Sequence, residues 1–336
     1  MPVQIGHIVF ELTQACNQQC RFCYNYWRDG STPLPPPDPR RAKRTLRRLL
    51  RQAKVGSISF SGGEPMLLRG VHDLALTARF KGSEVHILTN GTLLTEDHIE
   101  NFKSIGVGAV QIPLLSADPA VHDALTGLPG SWEKAVEATR KVVRAFGDGA
   151  CTVLVVTKAN APGVPQTLSF IRDLGVRRIM VNRFNLGGMG LRHREELSLD
   201  KASLRKVFDE VEAFAAACPE MHVVSGVCTP LCVLDPVRYP HILFTACNTD
   251  LSRRPVTVND RGDVRFCNHS PHVMGNLYDR PIGEILADPE AQERYSVVPE
   301  ACRDCALLPR CNGGCRAASE QVFGTFAAPD PVLEEK

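Results

Sequence analysis

Residues 8–23 read IVFELTQACNQQCRFC, and the three cysteines that end this stretch, Cys16, Cys20 and Cys23, decide most of what the chain can be. The run HIVFELT, residues 7–13, is strand-like. The cysteines follow in a short loop with the spacing Cys-x3-Cys-x2-Cys. Thiolates this close together can hold three irons of a cubane 4Fe–4S cluster and leave the fourth iron open. A zinc site completed by an outside ligand is the competing reading, and the 3-then-2 spacing is uncommon for zinc.

Outward from this loop, strand-like and helix-like segments alternate from residue 4 to about 195. Strands are expected at HIVFEL, SISFSG, EVHILTN, AVQIPLL, CTVLVVT and RIMVNRF. Helices are expected near 40–53, 69–80, 95–104, 131–146 and 164–174. Six such β/α units predict an α/β chain built as a partial, parallel, right-handed TIM-like (β/α)6 barrel. Sites in barrels of this kind lie at the C-terminal ends of the strands. The cysteine loop falls at one such end. ISFSGGEP, Ile58 to Pro65, falls at the next, with two glycines that allow close backbone approach. VHILTNGTLL, Val85 to Leu94, ends the third.

Together these stretches resemble the opening of the radical SAM superfamily. The resemblance implies that a reduced triad cluster cleaves S-adenosylmethionine (SAM) to methionine and a 5′-deoxyadenosyl radical, which removes hydrogen from a substrate. It implies that Gly62, Gly63 and Glu64 meet the amino group of the SAM methionine. Phe22 would lie beside the adenine, and Asn90 of the T-N-G belongs to the same cofactor site. A fourth expected motif, Q-x-S-L-D-G, is half kept in QIPLLSADPAVHDALTG, Gln111 to Gly127. Pro113 and Leu115 stand where Ser and Asp are common, which leaves Ser116 as a candidate substitute. The tail HDALTG matches related maturases.

Thirteen cysteines are too many for packing alone, and eight of them lie between residues 228 and 315. With no secretory signal, such a chain is expected to be cytoplasmic and to use cysteine for metal rather than for disulfides. Cys247, fourteen residues, Gly262, four residues and Cys267 form one spacing; Cys302-x2-Cys305-x5-Cys311-x3-Cys315 forms the other. Both resemble the SPASM extension of radical SAM enzymes, which houses one or two auxiliary 4Fe–4S clusters. A zinc knuckle is the alternative for the second spacing. VTVNDRGDVRFC reads as a hairpin with an Asp-Arg-Gly turn. The resemblance gives one cluster Cys247, Cys267 and Cys315, with a fourth ligand from Cys232 or Cys228. It gives the other Cys302, Cys305 and Cys311. A last cysteine is common near a terminal Asp-Pro; here Asp330-Pro331 is followed by Leu333. An open iron, a non-cysteine ligand, or no cluster at all would follow, unless Cys228 or Cys232 closes that set instead. Cys151 and Cys218 read as core residues.

The expected domains are a radical SAM core at 1–198, a bridging helix at 199–224 capped by Asp200, and a cluster domain at 225–336, loop-rich because clusters replace a hydrophobic core. The loop STPLPPPDP, 31–39, reads as a connection. Net charge is +2, which argues against a nucleic-acid face, and no run is long enough to cross a membrane. The basic run Arg40–Arg51 reads as a solvated helix face, with a dock for an acidic peptide as the alternative. The resemblance implies a ribosomally made peptide as substrate and a reductant such as flavodoxin or ferredoxin. Only about seven residues precede the first strand, so a separate recognition protein is expected if the barrel does not bind the peptide itself. Asn268 replaces the acid that sulfatase-maturing relatives carry. A small-molecule substrate is the alternative, with His269 and His272 as ligands for a haem-like molecule or an open iron.

Overall fold

The computed structural model describes residues 2–30 and 33–334. Ser31 and Thr32 of the proline-rich connection lie outside the described residues. Eight parallel strands follow one another in chain order: β1 (Val3–Thr13), β2 (Ala53–Gly62), β3 (Glu84–Leu88), β4 (Ala109–Pro113), β5 (Ala150–Val156), β6 (Arg178–Arg183), β7 (His222–Ser225) and β8 (Ile242–Phe244). The crossovers hold α1 (Pro39–Gln52), α2 (Val71–Phe80), α3 (Glu96–Ile105), α4 (Pro119–Thr126), α5 (Ser131–Phe146), α6 (Val164–Asp173), α7 (Arg194–Leu197) and α8 (Lys201–Ala217). The α/β fold and its six β/α units stand where the alternation placed them. The short helix α4 was not anticipated.

Helix starts follow local chemistry. The carboxylates of Asp38, Asp118 and Asp200 accept from the backbone N–H of Arg41, Ala120 and Ser203 at 2.9, 2.8 and 2.6 Å. Pro39 and Pro119 then occupy the first turn, where their missing N–H is harmless. The strands bury Ile8, Phe10, Leu12, Ile58, Phe60, Val85, Ile87, Val110, Ile112, Leu154, Val156, Ile179 and Val181 in one continuous core. Phe10 and Phe60 meet edge-on in it.

The sheet extends past the six expected strands at both edges. β7 and β8 continue it beyond β6. At the other edge β9 (Val256–Asn259) pairs in parallel with β1, aligning Ile8 with Val256 and Glu11 with Asn259. β10 (Asp263–Arg265) and β11 (Val273–Asn276) follow antiparallel, giving one eleven-stranded sheet. The turn between β9 and β10 closes at Gly262, whose φ of +92° suits glycine. The boundaries proposed at 198 and 224 therefore fall within a continuous sheet. α8 is the crossover from β6 to β7 and packs on α6.

The basic helix α1 has a third role besides the two considered. Ala42, Leu46, Leu49 and Leu50 are buried beneath it. On the adjoining flank Arg41 pairs with Asp260 at 2.6 Å, and the Thr45 hydroxyl donates to the Asp260 carbonyl at 2.7 Å. Arg48 donates to the Leu277 carbonyl and lies 4.8 Å from the Tyr278 ring centroid. Some of the charge thus fastens the hairpin to the barrel, while Arg40, Arg44, Arg47 and Arg51 stay exposed.

The C-terminal region carries α9 (Ile282–Leu286), α10 (Pro289–Ser296), α11 (Leu308–Cys311) and α12 (Arg316–Phe323). It is loop-rich, yet Phe266, Tyr295 and Phe326 form an aromatic nucleus, with Tyr295 4.1 and 4.7 Å from the other two ring centroids. Metal thus replaces a core there only in part. Cys218 is buried and Cys151 half-buried on β5. No helix among the described residues is long and apolar enough to cross a membrane.

His122 on α4 is buried, and its Nδ1 accepts from the Leu115 N–H at 3.2 Å. Burial lowers its pKa from 6.5 to about 4. The unfolded chain therefore binds a proton that the folded chain refuses between these values, so stability is full above pH 6.5 and falls as pH drops toward 4. His122→Gln keeps an acceptor and removes the titration. Denaturant unfolding at pH 7 and pH 4.5 should show a smaller acid loss in the variant, by up to about 3 kcal/mol. Equal losses in both proteins would contradict this.

Candidate functional site

The cysteine loop is held on four sides by hydrogen bonds and close backbone contacts. From β2, the Gly63 N–H donates to the Thr13 carbonyl at 2.7 Å and the Glu64 N–H to the Ala15 carbonyl at 2.8 Å. A Cβ on Gly62 or Gly63 would meet those carbonyl oxygens at 2.3 and 2.0 Å, so only glycine permits this approach. From the end of α4, the Thr126 and Leu125 carbonyls accept from the N–H groups of Gln19 and Arg21, both at 2.9 Å. This gives the HDALTG tail its physical role. From the segment after β6, the Gly190 N–H donates to the Cys23 carbonyl at 3.1 Å. Gly188, with φ +47°, lies where a Cβ would strike the Asn25 carbonyl oxygen at 2.2 Å. The fourth contact comes from the loop after β3, where the Asn90 amide reaches the Asn17 side chain at 2.8 Å and the Cys16 sulfur at 4.0 Å.

Cys16, Cys20 and Cys23 are half-buried. Burial pushes all three thiols up, and Cys20 is pushed further by the charges of Cys23 and Cys16. The buried Arg28 guanidinium pulls each of them down. It also donates to the Gln18 carbonyl at 2.5 Å, which fixes it beneath the loop. Three mutually repelling thiols over a fixed cation suit a polynuclear iron site, where metal removes their protons. Cys16, Cys20 and Cys23 on one short loop over Arg28 fit a cluster-binding triad.

Other expected contacts have different partners in the structure. Glu64 is fully buried, and its carboxylate accepts from the Met66 N–H at 2.9 Å, the Thr89 hydroxyl at 2.6 Å and the Asn90 N–H at 2.7 Å. It ties the GGEP loop to the T-N-G loop and does not reach outward. The Asn90 side-chain oxygen accepts from the Thr92 N–H and hydroxyl, so this side chain braces the cysteine loop as well. Ser116 is buried, its hydroxyl accepts from the Asp118 N–H at 3.0 Å, and it shapes the entry to α4. Phe22 packs against the apolar cluster of Leu115, Leu125, Phe184, Leu186 and Leu197.

The eight C-terminal cysteines sort into two sets. Cys228, Cys247, Cys267 and Cys315 lie within reach of one another's charge. The Cys228 thiol donates to Cys247, which pulls the Cys247 thiol down with help from Arg254, while burial pushes Cys315 up. Cys232 is pushed up by burial and then by Cys311, Cys302 and Cys305. Of the two placements left open for each, Cys228 lies near the hairpin cysteines and Cys232 near Cys302, Cys305 and Cys311.

His269, expected as a ligand for a haem-like molecule or an open iron, is placed otherwise. It is buried, its Nε2–H donates to the Leu186 carbonyl at 2.8 Å, and its Nδ1 accepts from the Asn185 amide at 2.7 Å. Burial lowers its pKa to about 4, so it is neutral and has no free nitrogen for an iron or a haem-like ligand. His272 is half-buried and meets the Tyr295 ring edge-on. Tyr24 was missed by sequence reasoning. Its hydroxyl accepts from the Asn268 amide, its ring lies 4.9 Å from that of His269, and its proton is held by burial and by the charges of Cys23 and Cys267. It thus stands between the triad and the hairpin cysteines. Arg28 and the GGMG stretch at 187–190 were missed too; only the density of glycine gave a signal there.

Two substitutions test this geometry. Gly63→Ala should push the Ala15 carbonyl away, lower stability by about 1–3 kcal/mol and reduce the iron taken up on reconstitution. Glu64→Gln places an amide N–H against one of three donors and should cost about 1–3 kcal/mol. Wild-type stability and iron content in both variants would refute the roles given to these residues.

Comparison with known proteins agrees with this geometry. Residues 10–171 match the family model of the radical SAM superfamily, and residues 247–306 match that of the SPASM iron–sulfur cluster-binding domain. A protein named PqqA peptide cyclase from Xanthomonas campestris pv. campestris is 29% identical, over 97% of this chain and 86% of its own length. One of the same name from Streptomyces rochei is 29% identical, over 97% and 88%. In fold, the chain resembles Streptococcus suis SuiB bound to S-adenosylmethionine, with a TM-score of 0.74 at 17% identity over 99% of this chain and 77% of that one. It also resembles anSMEcpe with bound AdoMet, with a TM-score of 0.72 at 16% identity over 99% and 94%. With both matched regions in the order of the two cysteine groups, the chain belongs to the radical SAM superfamily, as an enzyme with a SPASM iron–sulfur extension.

Proposed function

We propose that this enzyme modifies a ribosomally made peptide, by cross-linking, epimerisation or oxidation. The observation that carries the reaction class is the triad loop, held at the strand ends by glycine-only contacts over a buried arginine. The peptide class is supported by likeness over almost the whole chain to proteins named PqqA peptide cyclase. With a cluster on Cys16, Cys20 and Cys23 and SAM bound beside it, the site supplies one-electron chemistry that ends in hydrogen-atom abstraction.

The chain's own residues prepare that chemistry. Arg28 offsets the charge of three thiolates in a half-buried loop. Gly62 and Gly63 bring a bare backbone edge to the loop, where the amino acid moiety of SAM is proposed to bind. Phe22 and the cluster of Leu115, Leu125, Phe184 and Leu186 give an apolar wall that excludes water from a reactive intermediate. Tyr24 and His269 fill the space between the cysteine sets, held by Asn268, Leu186 and Asn185. A flavodoxin- or ferredoxin-like reductant, a separate recognition protein for the peptide and a cytoplasmic setting belong to the same proposal.

Replacing any one of Cys16, Cys20 or Cys23 by Ala should abolish 5′-deoxyadenosine formation from SAM under reducing conditions. Production at the wild-type rate would contradict the triad assignment. Co-expression with a short peptide encoded beside the gene should give a defined mass change, such as loss of two hydrogens, with the wild type alone. An unchanged peptide despite active SAM cleavage would refute the peptide reading.

A further inference from the structure

The loop 228–232 and the turn 311–315 share one spacing, Cys-x3-Cys, and lie against each other. Pro230, midway between Cys228 and Cys232, packs on Gly314, where a Cβ would sit 2.6 Å from its ring. Gly314 has φ +81° and lies between Cys311 and Cys315. The Leu231 N–H points at the Cys311 sulfur, 3.4 Å away. This central contact sends Cys232 toward Cys311 and Cys228 toward Cys315. The loop is fixed at both ends. The Asn182 side chain accepts from the Gly226 and Val227 N–H groups, and Arg183 donates to the Cys228 carbonyl at 3.2 Å. On the far side Arg205 donates to the Cys232 and Val233 carbonyls at 3.0 and 2.9 Å.

We infer that Cys232 is the fourth ligand of the cluster held by Cys302, Cys305 and Cys311, and that Cys228 completes the set of Cys247, Cys267 and Cys315. Both residues lie upstream of the matched iron–sulfur region, which begins at Cys247. The terminal Asp330-Pro331 has another use: Asp330 is buried, pairs with Arg183 at 2.6 Å and accepts from the Cys315 N–H at 2.6 Å. No ligand from the C-terminus is needed. Both auxiliary clusters are then closed by four thiolates. Neither has an open iron for a substrate thiolate, which leaves them as one-electron carriers. The remaining open iron is the one over the triad. Cys232 and Cys305 are exposed, so the Cys232 cluster is the one at the surface, where a protein reductant can approach.

This inference rests on the iron–sulfur reading proposed above, and the test separates the two. Full-length protein is reconstituted anaerobically as wild type, Cys232→Ala, Cys232→Asp and Cys218→Ala. Iron and sulfide are counted, and dithionite-reduced samples are examined by electron paramagnetic resonance with and without SAM. The wild type should hold about twelve irons per chain, as three four-iron clusters require. Cys232→Ala should lose one to four irons and lose or convert one auxiliary signal, while the SAM-responsive signal stays. Cys232→Asp, which keeps an anionic ligand, should retain more iron than Cys232→Ala with a shifted signal, and Cys218→Ala should match the wild type. Wild-type iron and spectra in Cys232→Ala would overturn the assignment, as would about eight irons in the wild type. Absence of any SAM-responsive signal would instead sink the functional reading and leave the effect of Cys232 on iron standing.

Discussion

The site depends on a backbone contact that only glycine allows. β2 ends by running Gly62 and Gly63 against the Thr13 and Ala15 carbonyls, at distances no Cβ could tolerate. That contact sets the path of the chain as it leaves β1, and the three cysteines follow from that path. The Glu64 carboxylate then joins the same corner to the loop after β3 through three buried hydrogen bonds. The end of α4 and the glycines after β6 close the remaining sides. Four segments thus meet on one short loop and place its thiols.

A second constraint locks the cysteine-rich region onto the barrel. Arg183, the last residue of β6, reaches Asp330 near the C-terminus, the Thr229 hydroxyl and the Cys228 carbonyl. Both members of the Arg183–Asp330 pair are buried. On the opposite edge Arg265 of β10 pairs with Glu11 of β1, also buried, and stacks near Tyr26 and Trp27 just past the triad. Such pairs add little net stability, but losing one partner strands a charge in the interior. They therefore fix how the auxiliary cysteines sit relative to the triad. Tyr24 occupies the space between, bonded to Asn268 on one side and flanked by His269.

Much of the fold was legible because its signals are local. β1 to β6 are apolar runs, most of the helices between them show apolar stripes, and aspartates mark several of their starts. The hairpin was readable from its Asp-Arg-Gly turn. What was hidden depends on residues far apart in the chain. The pairing of Ile8 with Val256 leaves no trace in either segment, and β7 and β8 are too short to show a period. The triad was legible by spacing, whereas Arg28 looked like any surface arginine until burial placed it under the loop. Glu64, Asn90 and Ser116 were expected to meet the cofactor, but sequence could not show that their polar atoms are engaged inside the protein. The division of the cysteines turned on the Pro230–Gly314 contact, which no spacing reveals.

Three sets of thiols, placed by the fold, are proposed to hold three iron clusters, with Tyr24 between the first two. The most direct measurement is iron-edge anomalous diffraction from crystals of anaerobically reconstituted protein. Three strong iron peaks are expected: over Cys16, Cys20 and Cys23; among Cys228, Cys247, Cys267 and Cys315; and among Cys232, Cys302, Cys305 and Cys311. The Tyr24 ring should lie between the first two. A missing peak at any of these positions, or a zinc-edge signal in its place, would contradict this assignment.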